Sequence, residues 1–287
     1  MMKTDSTAPL VSIILSYYNQ MRYIGEAIQS AVSQTYSNIE VLVVDDGSSL
    51  EAYQHLLSIT DVRVIRKENG GVSSARNRGI EESHGEYVIF LDHDDHLLPN
   101  AVSSHMEALK RNRQAGLIFA ARRDINGDGQ VVSPPYVCSP RRDYFHSFLE
   151  VNPIHCPAAA MISRKALDTI GTFDPKVEPG DDYDLYIRIA REFPVLRHPA
   201  VVAEYRIHSG SVSQDGRKMY DATVRVLDKV KKTMHLTPKE QRLLKAGYGR
   251  AAAYFQGETG WKQKSRLMYY RLRSFSQSSF LQLLRGQ

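Results

Sequence analysis

The sequence predicts an α/β fold, with a mostly parallel central sheet flanked by helices and a C-terminal helical extension. Three observations carry this prediction. Residues 10–112 alternate short β-rich runs with segments of helical periodicity, the pattern of strand–crossover–strand units. The strand-like runs are nearly continuous in apolar residues, as expected when helices cover both faces of a sheet. Residues 216–287 hold no strand-like segment.

The elements follow in order. Residues 10–16 (LVSIILS) read as the first strand, and Tyr23, Ile24, Ala27, Ile28, Ala31 and Val32 then recur at helical spacing along one apolar face. Residues 39–44 (IEVLVV) form a second strand, running into Asp45-Asp46-Gly47-Ser48, and residues 62–65 form a third. A helix over 73–82 leads to a fourth strand, 87–91 (YVIFL), which runs into Asp92. Pro99 suits the first turn of a helix reaching about Asn112. From Leu117 the alternation loosens. Asn126-Gly127-Asp128-Gly129 is a hairpin turn signal, 158–163 and 201–207 read as strands, and a helix runs through 182–191. In the extension, Tyr220, Val224, Leu227 and Met234 mark one helix, and Leu243, Leu244, Tyr248, Ala251 and Phe255 a second, with Thr237-Pro238 and Gly257/Gly260 as punctuation.

Composition narrows the classes. With 42% hydrophobic and 24% charged residues the chain falls outside the disordered and fibrous ranges. Cys138 and Cys156 have neither a CxxC spacing nor enough partners for a disulfide framework, which fits a reducing cytoplasm. The apolar run at 10–15 is too short for a signal-peptide core, and no window reaches the roughly 18 apolar residues of a membrane span. The expectation is a cytoplasmic protein, soluble or peripheral on the inner face of a membrane. The net charge of +5 is divided: residues 1–216 hold 21 Lys+Arg against 28 Asp+Glu, and residues 217–287 hold 16 against 4. Such asymmetry points to two surfaces with different partners.

Ligands of parallel sheets bind beyond the carboxyl ends of the strands, where strand order reverses. Three polar clusters occupy such ends: Ser16-Tyr17-Tyr18-Asn19, Asp45-Asp46-Gly47-Ser48 and Asp92-His93-Asp94-Asp95. With 18 Asp in the chain, a DxD triplet arises about once by chance, and Asp182-Tyr183-Asp184 is a second instance. The weight of Asp92-His93-Asp94 lies in its position. A buried strand delivers three carboxylates to one place, where they repel unless a cation lies between them, and an oxygen-rich cluster suits Mg²⁺ or Mn²⁺.

The blocks PLVSIILSYYN, IEVLVVDDGSS, ENGGVSSARNRGI, GEYVIFLDHDD, GDDYDLYIR and YRIHSGSVS, in this order and spacing, resemble family-two glycosyltransferases over about residues 9–214. The resemblance implies a GT-A fold with a Rossmann-like sheet, a catalytic domain over 1–215 and a basic helical extension over 216–287. It also implies a nucleotide-diphosphate sugar as donor and Mn²⁺ or Mg²⁺ as cofactor. By the same resemblance Ser16 and Tyr18 would contact the nucleotide, Tyr18 by stacking on the base. Asp46 would accept a base N–H, as uracil offers. Arg76 would face the diphosphate or the aspartates, Asp92 the ribose or a metal-bound water. Asp94 would ligate the metal, and His208 would complete its shell or touch the diphosphate. Asp182 would be the general base. Asp181 stands where the family commonly has Glu, which leaves open which of these two carboxylates takes the proton.

The implied reaction is metal-dependent transfer of a sugar, from a UDP-sugar, to a hydroxyl of a glycan or a lipid-linked acceptor. A single base without a second nucleophilic carboxylate predicts inversion at the anomeric carbon. Two other classes fit the same residues. A sugar-phosphate nucleotidyltransferase would release pyrophosphate, and a binding module would show no turnover. The tail places Arg250, Lys262, Lys264, Arg266, Arg271, Arg273 and Arg285 among Trp261, Tyr269, Tyr270, Phe275 and Phe280. That mixture suits an anionic membrane surface, or a helical extension packed on the catalytic domain or on a second subunit. No nucleic-acid-binding module is recognisable.

Overall fold

The computed structural model describes residues 8–60, 62–138 and 143–256. Its core is an eight-stranded sheet in the order β3-β2-β1-β4-β7-β6-β8-β5. Strands β1 (Val11–Tyr17), β2 (Ile39–Asp45), β3 (Arg63–Arg66) and β4 (Tyr87–Asp92) are mutually parallel. Their crossovers are α1 (Ile24–Val32), α2 (Leu50–Ser58) and α3 (Val72–Glu82). Every residue of β1 is buried, which accounts for its unbroken apolar run. Ile14 joins an apolar cluster with Ala75 and Ile80 of α3, while Ile13 and Leu15 join another with Ala27 of α1 and Leu56 of α2. Alternate residues of one strand therefore serve opposite faces of the sheet. Helix α3 lies very close to β1: a Cβ at Gly79 would sit 2.3 Å from Ile14 Cγ2.

The second half departs from the expected rhythm. Strand β6 (Leu117–Ile125) pairs parallel with β8 (Val195–Arg206), but β7 (Ala160–Ser163) enters antiparallel between β4 and β6. The two-residue β5 (His96–Leu97) pairs antiparallel with β8 at the sheet edge. The sequence places the last strand at 201–207, whereas β8 begins six residues earlier. Pro199 and the polar Arg197-His198 break the apolar pattern there, and the β6–β8 register shifts around Ala121 as the strand passes the proline. Helix α2 and strand β6 are absent from the sequence-based outline. Ser49, whose hydroxyl accepts from Ala52 N–H, is the cap that marks α2. Pro99 precedes the cap Asn100 instead of lying in the first turn, and α4 (Ala101–Leu109) ends before Asn112.

Helices α5 (Tyr144–Phe148), α6 (Arg164–Ile170) and α7 (Asp181–Glu192) pack on the α3 face. Helices α8 (Gly216–Thr233) and α9 (Pro238–Gln256) share that core through Val226, Leu227, Val230, Leu243 and Leu244. Lys229 fastens α8 to the body, with its ammonium 2.8 Å from Asp174 and 2.9 Å from Asp184. Among the described residues no helix is long and apolar enough to cross a membrane.

Candidate active site

The strand order reverses between β1, whose chain neighbour β2 lies on one side, and β4 on the other. At that point Ser16 stands in register with Val44 and with Asp92, so the ends of three strands open onto one crevice.

On the β1–β2 side the two tyrosines divide their tasks. Tyr17 is buried and donates to the Ala52 carbonyl at 3.2 Å, while Tyr18 leaves 48% of its surface exposed, with its ring free to stack. Asn19, at φ 56°, ties the two loops together: its N–H donates to Ser48 Oγ at 2.9 Å, and its Oδ1 accepts from Ser49 N–H at 2.8 Å. Asp46 is buried. It accepts from Lys67 Nζ at 2.7 Å, from Gly70 N–H at 3.0 Å and from Gly71 N–H at 2.8 Å. The turn that aims it requires Gly47, at φ 76°, where a Cβ would lie 2.6 Å from the Asn69 nitrogen. Lys67 is missing from the sequence-based list because it lies on a loop outside every recognisable pattern.

The middle of the crevice is organised by Arg76 of α3. Its buried guanidinium donates from Nη2 to Asp92 Oδ1 at 2.7 Å and from Nη1 to Asp181 Oδ2 at 2.9 Å. Burial alone would raise the Asp92 carboxyl. Arg76, with a longer 3.4 Å bond from Ser16 Oγ–H, overrides it and holds Asp92 below the usual carboxylate range. Arg76 is in turn pushed up by Asp92 and Asp181, against the effect of its burial. The α3 end that presents it is held by Glu178, whose carboxylate accepts from Ser73 N–H at 3.1 Å.

Helix α7 sends its three aspartates in three directions. Asp181 is buried against Arg76. Asp184 pairs away from the crevice, with Arg188 and Lys229, both at 2.9 Å. Asp182 is half-buried and accepts from Tyr183 N–H at 2.6 Å. Burial, followed by the adjacent Asp181, pushes its carboxyl up to about 7.

On the β4 loop, Asp94 Oδ2 and His208 Nε2 meet at 3.0 Å, and Gly210 N–H donates to His208 Nδ1 at 3.1 Å. With Nδ1 accepting from Gly210, the neutral imidazole carries its proton on Nε2 and donates it to Asp94. Asp94 is the oxygen ligand suited to Mn²⁺ or Mg²⁺, and His208 joins it only when Nε2 gives up that proton. Among the described residues no group of three or more His, Cys, Asp or Glu forms a metal cage. An ion held there would have to take its remaining ligands from phosphates and water, as Mg²⁺ usually does in nucleotide sites. Asp95 serves the frame instead. It is buried, its Oδ1 accepts from Arg206 N–H at 2.9 Å, and its Oδ2 accepts from the Cys156 thiol at 3.3 Å. Burial, with Asp94 and Asp92 close by, raises its carboxyl well above the ordinary range.

A crevice at a sheet reversal, with an exposed aromatic, a bridging arginine and clustered carboxylates, places the chain among open α/β-sheet proteins whose ligands bind at the strand ends. The chain belongs to glycosyl transferase family 2, whose profile matches residues 12–171. An uncharacterised glycosyltransferase of Rickettsia typhi is 33% identical over 221 residues, covering 74% of this chain and 68% of that protein. Other Rickettsia relatives are longer, and this chain spans 31–35% of their length. Among solved structures, S. aureus TarS (residues 1–349) in complex with UDP-GlcNAc aligns at a TM-score of 0.64 and 16% identity, over 88% of this chain and 75% of that one. A mannosyltransferase from Pyrobaculum calidifontis in complex with GDP-Man and Mn²⁺ aligns at 0.62 and 19%, over 92% and 79%. The fold is that of GT-A glycosyltransferases, and the protein is a glycosyltransferase.

Proposed function

We propose that this glycosyltransferase is metal-dependent and inverting, and that it moves a sugar from a UDP-sugar to a hydroxyl of a glycan or lipid-linked acceptor. The observation that carries the reading is Arg76, which ties Asp92, on the donor side, to the first turn of the helix bearing Asp182. Donor and base thereby share one fixed point. Tyr18 offers the stacking face for the base and Asp46 the acceptor for its N–H, with Ser16 and Asp92 beside the ribose. Asp94 and His208 would hold Mn²⁺ or Mg²⁺, which supplies Lewis-acid neutralisation of the departing diphosphate. Arg76 adds a fixed cation for that charge. Asp182 takes the acceptor proton, and its raised pKa makes it a better base near neutrality than an ordinary carboxylate. Asp181 is committed to Arg76 and Asp94 to His208, which favours Asp182 as the base and, among the described residues of the crevice, argues against a carboxylate nucleophile. The UDP-GlcNAc and GDP-Man/Mn²⁺ complexes of the structural relatives are consistent with donor and metal.

A thermal-shift series with UDP, GDP and dTDP, with and without Mn²⁺, tests the donor reading. UDP with Mn²⁺ should raise the Tm most, and Asp94→Ala should remove the Mn²⁺-dependent part. A Tm indifferent to every nucleotide diphosphate sinks it.

We further propose a catalytic domain over 1–215 and a 216–287 extension that brings the enzyme to an anionic membrane on its cytoplasmic face. The aromatic and cationic residues of 257–287 that motivate this lie outside the described residues. Arg250, which is described, pairs with Glu150 at 3.1 Å. Helices α8 and α9 expose Arg217, Lys218, Arg225, Lys231, Lys232, Arg242 and Lys245. Their charge supports the reading, since a basic residue near an anionic bilayer contributes about 1 kcal/mol. The protein should pellet with phosphatidylserine-containing vesicles and not with neutral ones. Equal pelleting overturns the proposal.

A further inference from the structure

Arg206, at the end of β8, is 1% exposed, and the reaction as described gives it no part. A buried guanidinium is costly unless each of its N–H groups is used. Here they are spent on segments distant in sequence. Nε donates to the Asp94 carbonyl at 2.9 Å, and Nη1 reaches the carbonyls of Asn126 and Gly127 at 3.4 and 3.3 Å. Nη2 donates to Glu26 at 2.7 Å and lies 2.9 Å from His96 Nε2. The guanidinium also lies 4.3 Å over the Tyr23 ring, and that ring packs against the His208 imidazole at 5.3 Å. The Arg206 backbone N–H adds a bond to Asp95.

One side chain thus holds the main chain of Asp94 and, through Tyr23, the ring of His208. We propose that Arg206 is the positioning residue of the cation–diphosphate site. It sets the separation of Asp94 and His208 and anchors both to α1 through Glu26. The inference rests on the metal-dependent reading above. Arg206 touches neither donor nor acceptor. A lysine could not replace it, because three donors on one nitrogen cannot span partners on opposite sides of a planar fork.

The test is Mn²⁺ binding by electron paramagnetic resonance in the presence of UDP, paired with calorimetric UDP binding in EDTA. Loss of a partner that orients metal ligands typically weakens metal binding about 10- to 100-fold. Arg206→Lys should do so and leave metal-free UDP binding within about twofold of wild type, because Tyr18 and Asp46 stand apart from Arg206. A purely structural lesion would move both constants together, and that result overturns the proposal, as does unchanged Mn²⁺ affinity. Glu26→Gln, at a side chain that is 57% exposed, keeps the test decisive if Arg206→Lys does not fold. It removes the carboxylate charge from the guanidinium and should weaken Mn²⁺ binding toward the lower end of the same range, about 10-fold. Unchanged Mn²⁺ affinity in Glu26→Gln then overturns the inference. Wild-type protein that binds no Mn²⁺ with UDP overturns the metal reading itself, a result distinct from any of these.

Discussion

Asp182→Asn should lower kcat/KM by about 10²- to 10⁴-fold, the range contributed by a positioned general base, while UDP-sugar binding stays within a factor of two. The pH profile carries the sharper signature. Asp182 must be ionised to accept a proton, and burial together with Asp181 pushes its carboxyl up to about 7. For the wild type, kcat/KM should therefore rise with unit slope up to about pH 7 and level off above. The residual activity of Asp182→Asn should have no such limb. Linkage gives a matching sign for stability. A carboxyl raised in the folded state binds its proton more tightly there, so its contribution is present below about pH 4 and is lost as the pH rises through about 7. Wild-type activity that is flat from pH 5.5 to 8.5, or an active Asp182→Asn, removes Asp182 from the role and returns the question to Asp181.

The second large effect is expected at Arg76. Arg76→Met leaves Asp92 and the buried Asp181 facing each other with no cation between them. Breaking a buried pair from one side costs about 3–5 kcal/mol, to be read as a lower urea midpoint. The turnover of whatever remains folded should fall by at least about 10²-fold, the usual cost of losing one fixed donor to developing charge. Arg76→Lys should recover part of the stability and little of the rate, since one ammonium cannot reproduce a fork that reaches Asp92 at 2.7 Å and Asp181 at 2.9 Å. A fully stable, fully active Arg76→Met would contradict the bridge.

What the sequence disclosed followed the strength of local patterns. Strands β1, β2 and β4 were legible because each is a largely apolar run ending in polar residues at the crevice, whereas β3 (RVIR) offers only two apolar residues between exposed arginines. The convergence of Ser16, Arg76, Asp92 and Asp182 was legible only through blocks in register, since Arg76 and Asp181 are 105 positions apart and no periodicity joins them. Strand β6 stayed hidden because its second half, Arg122-Arg123-Asp124, is charged. Those charges are met by neighbours such as Glu204, which accepts from Arg123 Nε at 2.8 Å. The antiparallel entry of β7 depends on tertiary order alone. Arg206 stood in plain view within YRIHSGS, but a lone arginine beside a histidine gives no sign that the chain will bury it. The fates of Asp181, Asp182 and Asp184 required the third dimension, because three carboxylates in one helical turn look equivalent in one.

The bridge at Arg76 also bears on the order in which the polypeptide acquires its shape during synthesis. Arg76 leaves the ribosome 105 residues before Asp181. The first four strands and their crossovers supply local parallel units and can collapse early. Until α7 emerges, however, the emerging half carries a guanidinium that has Asp92 but lacks Asp181. The crevice can thus take its outline on the nascent chain, yet its charges are neutralised only after the later half has been made and docked. A chain released before residue 181 would leave the Arg76 guanidinium with Asp92 as its one carboxylate partner of the two.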